Sequence, residues 1–111
     1  GDGRGAHLVC RLLEEGALHV LTFTSPSTVS YFCRQVAEAA GLALPSVGEL
    51  IRRVGSLVAC IGPITAEAAE EEGLPVHVVA NQYTVPGLVQ AVKDAWLQRS
   101  RERPSTEEEV P

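Results

Sequence analysis

Methionine is missing from all 111 residues, and aromatic residues are scarce, with one Trp, two Tyr and two Phe making 5% of the chain. A sequence that opens Gly1-Asp2-Gly3-Arg4-Gly5 does not start at an initiator codon, so a fragment of a longer protein is expected. Long uninterrupted apolar stretches are lacking as well. A wide interval without charge, from Glu15 to Arg34, is broken by Gly16, His19, Thr22, Thr24, Ser25, Pro26 and Ser27, which excludes a membrane span there. Positive charge is not in excess: nine basic residues against fourteen acidic ones give a net charge of -5. Apart from Arg52-Arg53 and the C-terminal tail the basic residues stand alone, so no nucleic acid is expected as a partner. Cysteine is limited to Cys10, Cys33 and Cys60, an odd number with no Cys-x-x-Cys spacing and with apolar neighbours. Those features argue for reduced, buried thiols in a cytoplasmic protein and against disulfides or a zinc site.

What is present is a 45% hydrophobic chain of one-domain length, large enough to bury a core. Its two ends differ from its middle. The N-terminal G-x-G-x-G follows no strand, so it lacks the context of a dinucleotide fingerprint and reads as a flexible lead-in. Residues 99–111 hold three arginines, four glutamates, two prolines and one apolar valine, the composition of a disordered charged tail. Between them, short apolar runs alternate with helical periods, which predicts an α/β domain over 1–98.

A leading helix is expected from Leu8, Val9, Leu12 and Leu13, ending near Gly16. Strands are expected near 19–24, 57–61 and 76–80, the second apolar throughout as a central parallel strand should be. Ser25 followed by Pro26 starts a helix whose stripe is Val29, Phe32, Cys33, Val36 and Ala40. Ser46-x-x-Glu49 reads as a capping box opening a second helix, and Gly62-Pro63-Ile64-Thr65 opens a third that stops at Gly73. Tyr83-Thr84-Val85-Pro86-Gly87 opens the last, with Leu88, Val89, Val92, Ala95 and Trp96 on one stripe.

In a parallel α/β sheet all strand-to-helix turns lie at the carboxyl edge, where such sheets bind ligands. Three turns, Thr24 to Thr28, Gly62 to Thr65 and Gln82 to Gly87, therefore meet there, with hydroxyls and helix-start amides that can receive an anion. Each turn alone is equally explained by ordinary helix capping. His77 reads as a satisfied structural histidine, His7 and His19 as surface positions, and Trp96 as an anchor for the last helix. No triad, carboxylate pair, metal-ligand cluster or phosphate loop is found, so neither a metal nor a cofactor is expected.

The stretches Leu21-Thr22-Phe23-Thr24-Ser25-Pro26-Ser27-Thr28-Val29, Val58-Ala59-Cys60-Ile61-Gly62-Pro63-Ile64-Thr65-Ala66-Glu67-Ala68, Gly73-Leu74-Pro75-Val76 and Tyr83-Thr84-Val85-Pro86-Gly87-Leu88-Val89 together resemble the C-terminal part of the uroporphyrinogen-III synthase family. The resemblance runs over positions 6 to 98. It implies a flavodoxin-like lobe, here incomplete, from an enzyme of two lobes joined by two linkers with the substrate in the cleft. It also implies the reaction: closure of hydroxymethylbilane to uroporphyrinogen III with inversion of ring D, in heme biosynthesis, without metal or cofactor.

By the same resemblance, Thr24, Ser25, Ser27 and Thr28 match the hydroxyl motif facing the cleft, Thr65 the threonine after Gly-Pro, and Thr84 the cap of the final helix. All six are substrate-binding candidates. The family's tyrosine suited to act as the acid lies in a linker upstream of Gly1, and neither Tyr31 nor Tyr83 is its counterpart, so no catalytic residue is assigned within the chain. Residues 1–97 hold six basic and ten acidic side chains, so attraction for a polycarboxylate must come from local donors or from the missing N-terminal half, which is expected to pack on this piece. The piece alone is expected to be inactive. The competing reading is a non-catalytic synthase-like α/β interaction module of a larger protein, and a generic flavodoxin-like nucleotide or flavin binder is a weaker third.

Overall fold

A computed structural model describes residues 11, 15 and 19–102. In chain order these form β1 (Val20–Phe23), α1 (Pro26–Ala40), α2 (Ser46–Val54), β2 (Leu57–Cys60), α3 (Pro63–Glu71), β3 (Val78–Val79) and α4 (Val85–Glu102). The expected leading helix around Leu8 to Gly16 falls outside the described residues, apart from two isolated positions.

The strands make one parallel sheet in the order β1-β2-β3, with β2 in the centre and all four of its residues buried. The register pairs Val20 with Leu57, Phe23 with Cys60, and Cys60 with Val79. Each chain therefore leaves the sheet at the same level, and the three strand-to-helix turns share one edge.

Side chains alternate across a strand, and the alternation divides the core. Leu21, Phe23, Val58 and Cys60 meet Val29, Cys33 and Val36 of α1, Val47, Leu50 and Ile51 of α2, and Ala66 and Ala69 of α3 on one face. The other face carries α4, whose Leu88 packs with Ala59 and Ala80.

Local chemistry explains most boundaries. Ser25 caps α1 from an extended conformation, Pro26 occupies the first helical position, and Gly41 ends the helix at φ 68°, a left-handed value that glycine adopts without strain. Gly48 is required for packing. A Cβ there would overlap the Gly73 carbonyl oxygen and lie 2.8 Å from its carbon.

Three expectations need correction. Ser46 is not a cap: Pro45 is itself in the helical region (φ -62°, ψ -20°) with no side-chain cap bond, so Ser46 is already inside the first turn. The third strand is two residues long, not five. Pro75 has no N–H to pair, and the Val58 N–H donates to the His77 imidazole Nδ1 at 2.9 Å, so a side chain continues the sheet where a backbone carbonyl would. The charged tail does not start at 99. The last helix runs to Glu102, and Arg99 Nη1 donates to the Gly55 carbonyl at 2.6 Å, tying that turn to the end of α2. Residues 103–111 lie outside the described residues.

Candidate functional site at the carboxyl edge of the sheet

The six candidate residues all lie in the three turns at this edge, but their hydroxyls are engaged differently. In the first turn Ser25 and Thr28 form a reciprocal capping box. Thr28 N–H donates to Ser25 Oγ at 3.3 Å, Ser25 N–H donates to Thr28 Oγ1 at 3.3 Å, and Thr28 Oγ1 donates to the Ser25 carbonyl at 2.7 Å. The Ser27 hydroxyl lies 3.2 Å from that of Ser25. Much of their bonding capacity is therefore spent on starting α1, while Thr24, exposed just beyond β1, makes no such bond among the described residues.

The second turn is different. Gly62 begins α3 from an extended conformation with no side-chain cap, so nothing on the side chains covers the amides of the first helical turn. Thr65 is only 4% exposed, yet its hydroxyl has no partner among the described residues and is not sealed from the surface. A polar group that is nearly buried and still free is the feature expected of a group that meets a ligand.

In the third turn the Thr84 hydroxyl accepts from Gly87 N–H at 3.0 Å, the cap expected of it, and its own N–H donates to the Gln82 carbonyl at 2.8 Å. Gly87 is held where a Cβ would overlap the Gln82 carbonyl oxygen, which keeps this turn tight. Asn81 and Gln82 join Gly87, Gln90, Ala91 and Asp94 around a hollow of about 260 Å³. The sequence does not mark these two amides as ligand groups, because Asn and Gln in a loop are ordinary turn residues.

No charged residue occurs in 24–28, 61–65 or 80–87, although 21% of the chain is charged. The turns thus offer hydroxyls, amides and carbonyls and carry no carboxylate of their own, while Asp94 of α4 lines the hollow beside the third turn. The nearest cation along α1 is Arg34, which with Ser27, Thr28 and Tyr31 lines a shallow open hollow.

The titratable groups away from the edge are structural. Burial pushes the thiols of Cys33 and Cys60 up to about 11, helped by Glu72 and Glu70 respectively, so both remain protonated and unreactive. Both are buried and unbridged, as expected, while Cys10 lies outside the described residues. His77 is shifted down, first by burial and then by Arg99, in keeping with its neutral role as an acceptor. His19 is exposed and meets Trp96 edge to face at 5.7 Å, with Arg99 6.0 Å from the same indole. Among the described residues no group of three His, Cys, Asp or Glu side chains converges on a metal-sized site. No described helix is long and apolar enough to cross a membrane.

Comparison with known proteins agrees with this architecture. The family model for uroporphyrinogen-III synthase HemD matches residues 4–90. A uroporphyrinogen-III synthase of Synechococcus elongatus is 33% identical over 88 residues, covering 79% of this chain and 31% of that protein. A Methanothermobacter thermautotrophicus protein provisionally given the same name is 38% identical over 84 residues, 76% of this chain and 29% of its own length. The chain therefore spans about a third of these relatives. Among solved structures, Thermus thermophilus uroporphyrinogen III synthase superposes with a TM-score of 0.67 over 86% of this chain and 36% of its own, at 20% identity, a likeness of fold. With the family pattern running through most of its length and the family fold carrying that pattern, this chain belongs to the uroporphyrinogen-III synthase family.

Proposed function

We propose that this chain supplies one wall of the substrate site of a uroporphyrinogen-III synthase, which closes hydroxymethylbilane to uroporphyrinogen III with inversion of ring D in heme biosynthesis. The observation that carries the reading is the edge where three uncharged turns open helices beside a nearly buried Thr65 whose hydroxyl has no partner among the described residues. The substrate's acetate and propionate groups need donors without competing carboxylates, and hydroxyls beside uncapped helix amides meet that need.

The chemistry asks little of this wall beyond placement. The bilane loses its terminal hydroxyl as water to give an azafulvene, and ring closure then passes through a spiro-type rearrangement. Unassisted closure omits the inversion, so holding the bilane folded is the main catalytic task. Thr65 and Thr24 donate to substrate carboxylates, Ser25, Ser27 and Thr28 hold the first turn and present their remaining lone pairs and protons, and Thr84 keeps the third turn in place. An acid for the departing hydroxyl is not among these groups and is expected from the rest of the enzyme. That remainder, the N-terminal half, packs on this chain to complete the cleft, and the 111 residues alone are inactive.

The test is isomer analysis. Incubated with hydroxymethylbilane, the intact protein should yield the type III isomer and the 111-residue chain only the type I isomer of unassisted closure. Thr65→Ala in the intact protein should slow the reaction roughly tenfold, the scale of a lost hydrogen bond worth about 1 kcal/mol. An intact protein that yields no type III isomer would refute the proposal, and an unchanged Thr65→Ala rate would reduce Thr65 to a helix-start residue.

A further inference from the structure

Among the large apolar side chains that stand in solvent at the edge just described are Tyr83 and Ile64, with Val85 beside Tyr83 in the third turn. Tyr83 is 66% exposed and Ile64 is 75% exposed, although both belong to tight turns where polar residues would be ordinary. Neither is needed to fill the core: Ile64 belongs to neither buried cluster, and Leu88 rather than Tyr83 anchors the start of α4. Tyr83 is nevertheless not loose. Its ring stands beside Gly62, with Cδ1 and Cγ 3.4 Å from where a Cβ on that residue would be. Glycine at 62 adopts an extended backbone that any residue could adopt, and a Cβ there would meet the ring at ordinary van der Waals distance, so neither φ nor space demands glycine.

This juxtaposition joins the second turn to the third, and Ile64 lies two residues beyond Gly62 in the first turn of α3. The second turn thus holds the Thr65 hydroxyl, unpaired among the described residues, and the exposed Ile64 in adjacent positions, with the phenol ring beside the glycine that starts it. A ligand suited to such a surface has flat apolar rings and carries its charge on short acidic arms. A ring can lie on the aromatic face while its carboxylates reach the hydroxyls and amides, with no protein carboxylate in these turns to oppose them.

Resting on the proposed function above, we propose that Tyr83 is a positioning residue for the tetrapyrrole substrate, its ring standing beside Gly62 as a shelf, flanked by Ile64, against which one pyrrole ring lies. Its part is contact area, not proton transfer. The phenol hydroxyl is dispensable, and the shelf acts on how firmly and in which pose the bilane is held.

Steady-state kinetics of the intact protein with hydroxymethylbilane, combined with separation of the type I and type III isomers, test this. Tyr83→Ala should raise KM about tenfold with kcat changed less than about threefold, a tenfold change being about 1.4 kcal/mol of lost binding. It should also raise the type I fraction, because substrate held less firmly escapes to close unassisted. Tyr83→Phe should restore both values to within twofold of wild type. Since Tyr83 is exposed, the melting temperature of the Ala variant should stay within about two degrees of wild type.

An unchanged KM for Tyr83→Ala would overturn the shelf. So would a Phe variant as impaired as the Ala variant, which would mean that the hydroxyl acts, or a large fall in melting temperature, which would make the ring a structural strut. A wild-type protein that forms no type III isomer would instead refute the synthase reading on which the shelf rests, and the two failures are told apart by that control.

Discussion

On one face of the sheet, α1, α2 and α3 enclose thirteen described residues in a continuous buried cluster, with Val29, Cys33, Val47, Ile51, Val58 and Cys60 sealed from solvent. On the other face α4 buries Ala59, Ala80 and Leu88, and beyond them Val20, Val92, Lys93, Trp96 and Leu97 line an open apolar hollow beside β1. Both faces come from the same three strands, so the difference lies in what covers them. Among the described residues three helices close the first, whereas a single helix, packed mainly on β2 and β3, covers the second. Equivalent apolar substitutions should therefore have unequal consequences, since removing a side chain matters in proportion to the contacts that surround it.

The largest effect is expected at the closed face. Ile51→Ala removes a side chain with no exposed surface and should destabilise by about 2–5 kcal/mol, read by urea denaturation. A loss below 1 kcal/mol would mean that this cluster is looser than its burial implies. Gly48→Ala probes the same face from the backbone side. Its Cβ would overlap the Gly73 carbonyl, which Arg52 also holds by a 3.0 Å hydrogen bond, and a loss of about 1–3 kcal/mol is expected. A neutral result would show that α2 can slide away from the end of α3.

Arg99→Ala tests the far end of α4 and should lower stability by about 1 kcal/mol through loss of the bond to the Gly55 carbonyl. No change would return residue 99 to the solvent-exposed tail that composition suggests. His77 adds a pH dependence. Its neutral imidazole accepts from Val58, and burial together with Arg99 lowers its pKa from the ordinary 6.5, so the unfolded chain takes up a proton first on acidification. The contribution is complete above pH 6.5 and is lost as pH falls through the lower, folded value. His77→Ala should flatten the stability profile between pH 6.5 and that lower value, and an unchanged profile would show that the imidazole bond carries no weight.

The smallest effect is expected on the open face. Leu97 is 53% exposed, and Leu97→Ala should shift the stability of the 111-residue chain by no more than about 0.5 kcal/mol. The same change in the intact protein sharpens the comparison. A loss well above that figure there, and not in the isolated chain, would mark this hollow as the surface on which the remainder of the protein packs.

Several of these features were readable in advance because they depend on neighbours in the chain. Pro26 after a serine cap and the apolar run from Leu57 to Cys60 each follow from donor supply or burial. The errors share a cause as well. Ser46-x-x-Glu49 has the letters of a capping box, but Pro45 had already entered the helical region. Val76 to Ala80 has the letters of a strand, but a side chain from that very segment took over the bond to Val58. Arg99 sits in a charged segment, but its partner is a carbonyl 44 residues upstream. At the edge, hydroxyl residues at helix starts were visible, while the sharing of bonds among Ser25, Ser27 and Thr28 and the freedom of Thr65 were not, because hydroxyl geometry depends on where neighbouring turns come to lie.

Alternation of apolar runs with helical periods was enough to establish an α/β chain with three turns at one edge, since side-chain periodicity and backbone sterics act over a few residues and leave their mark in order. The family pattern was likewise present in linear motifs. Tertiary structure alone decided that, among the described residues, one face is closed by three helices and the other covered by one, that Tyr83 stands beside Gly62, and that Thr65 is nearly buried with its hydroxyl unpaired. Those outcomes depend on contacts between residues far apart in the chain, whose distances emerge only when whole elements pack together.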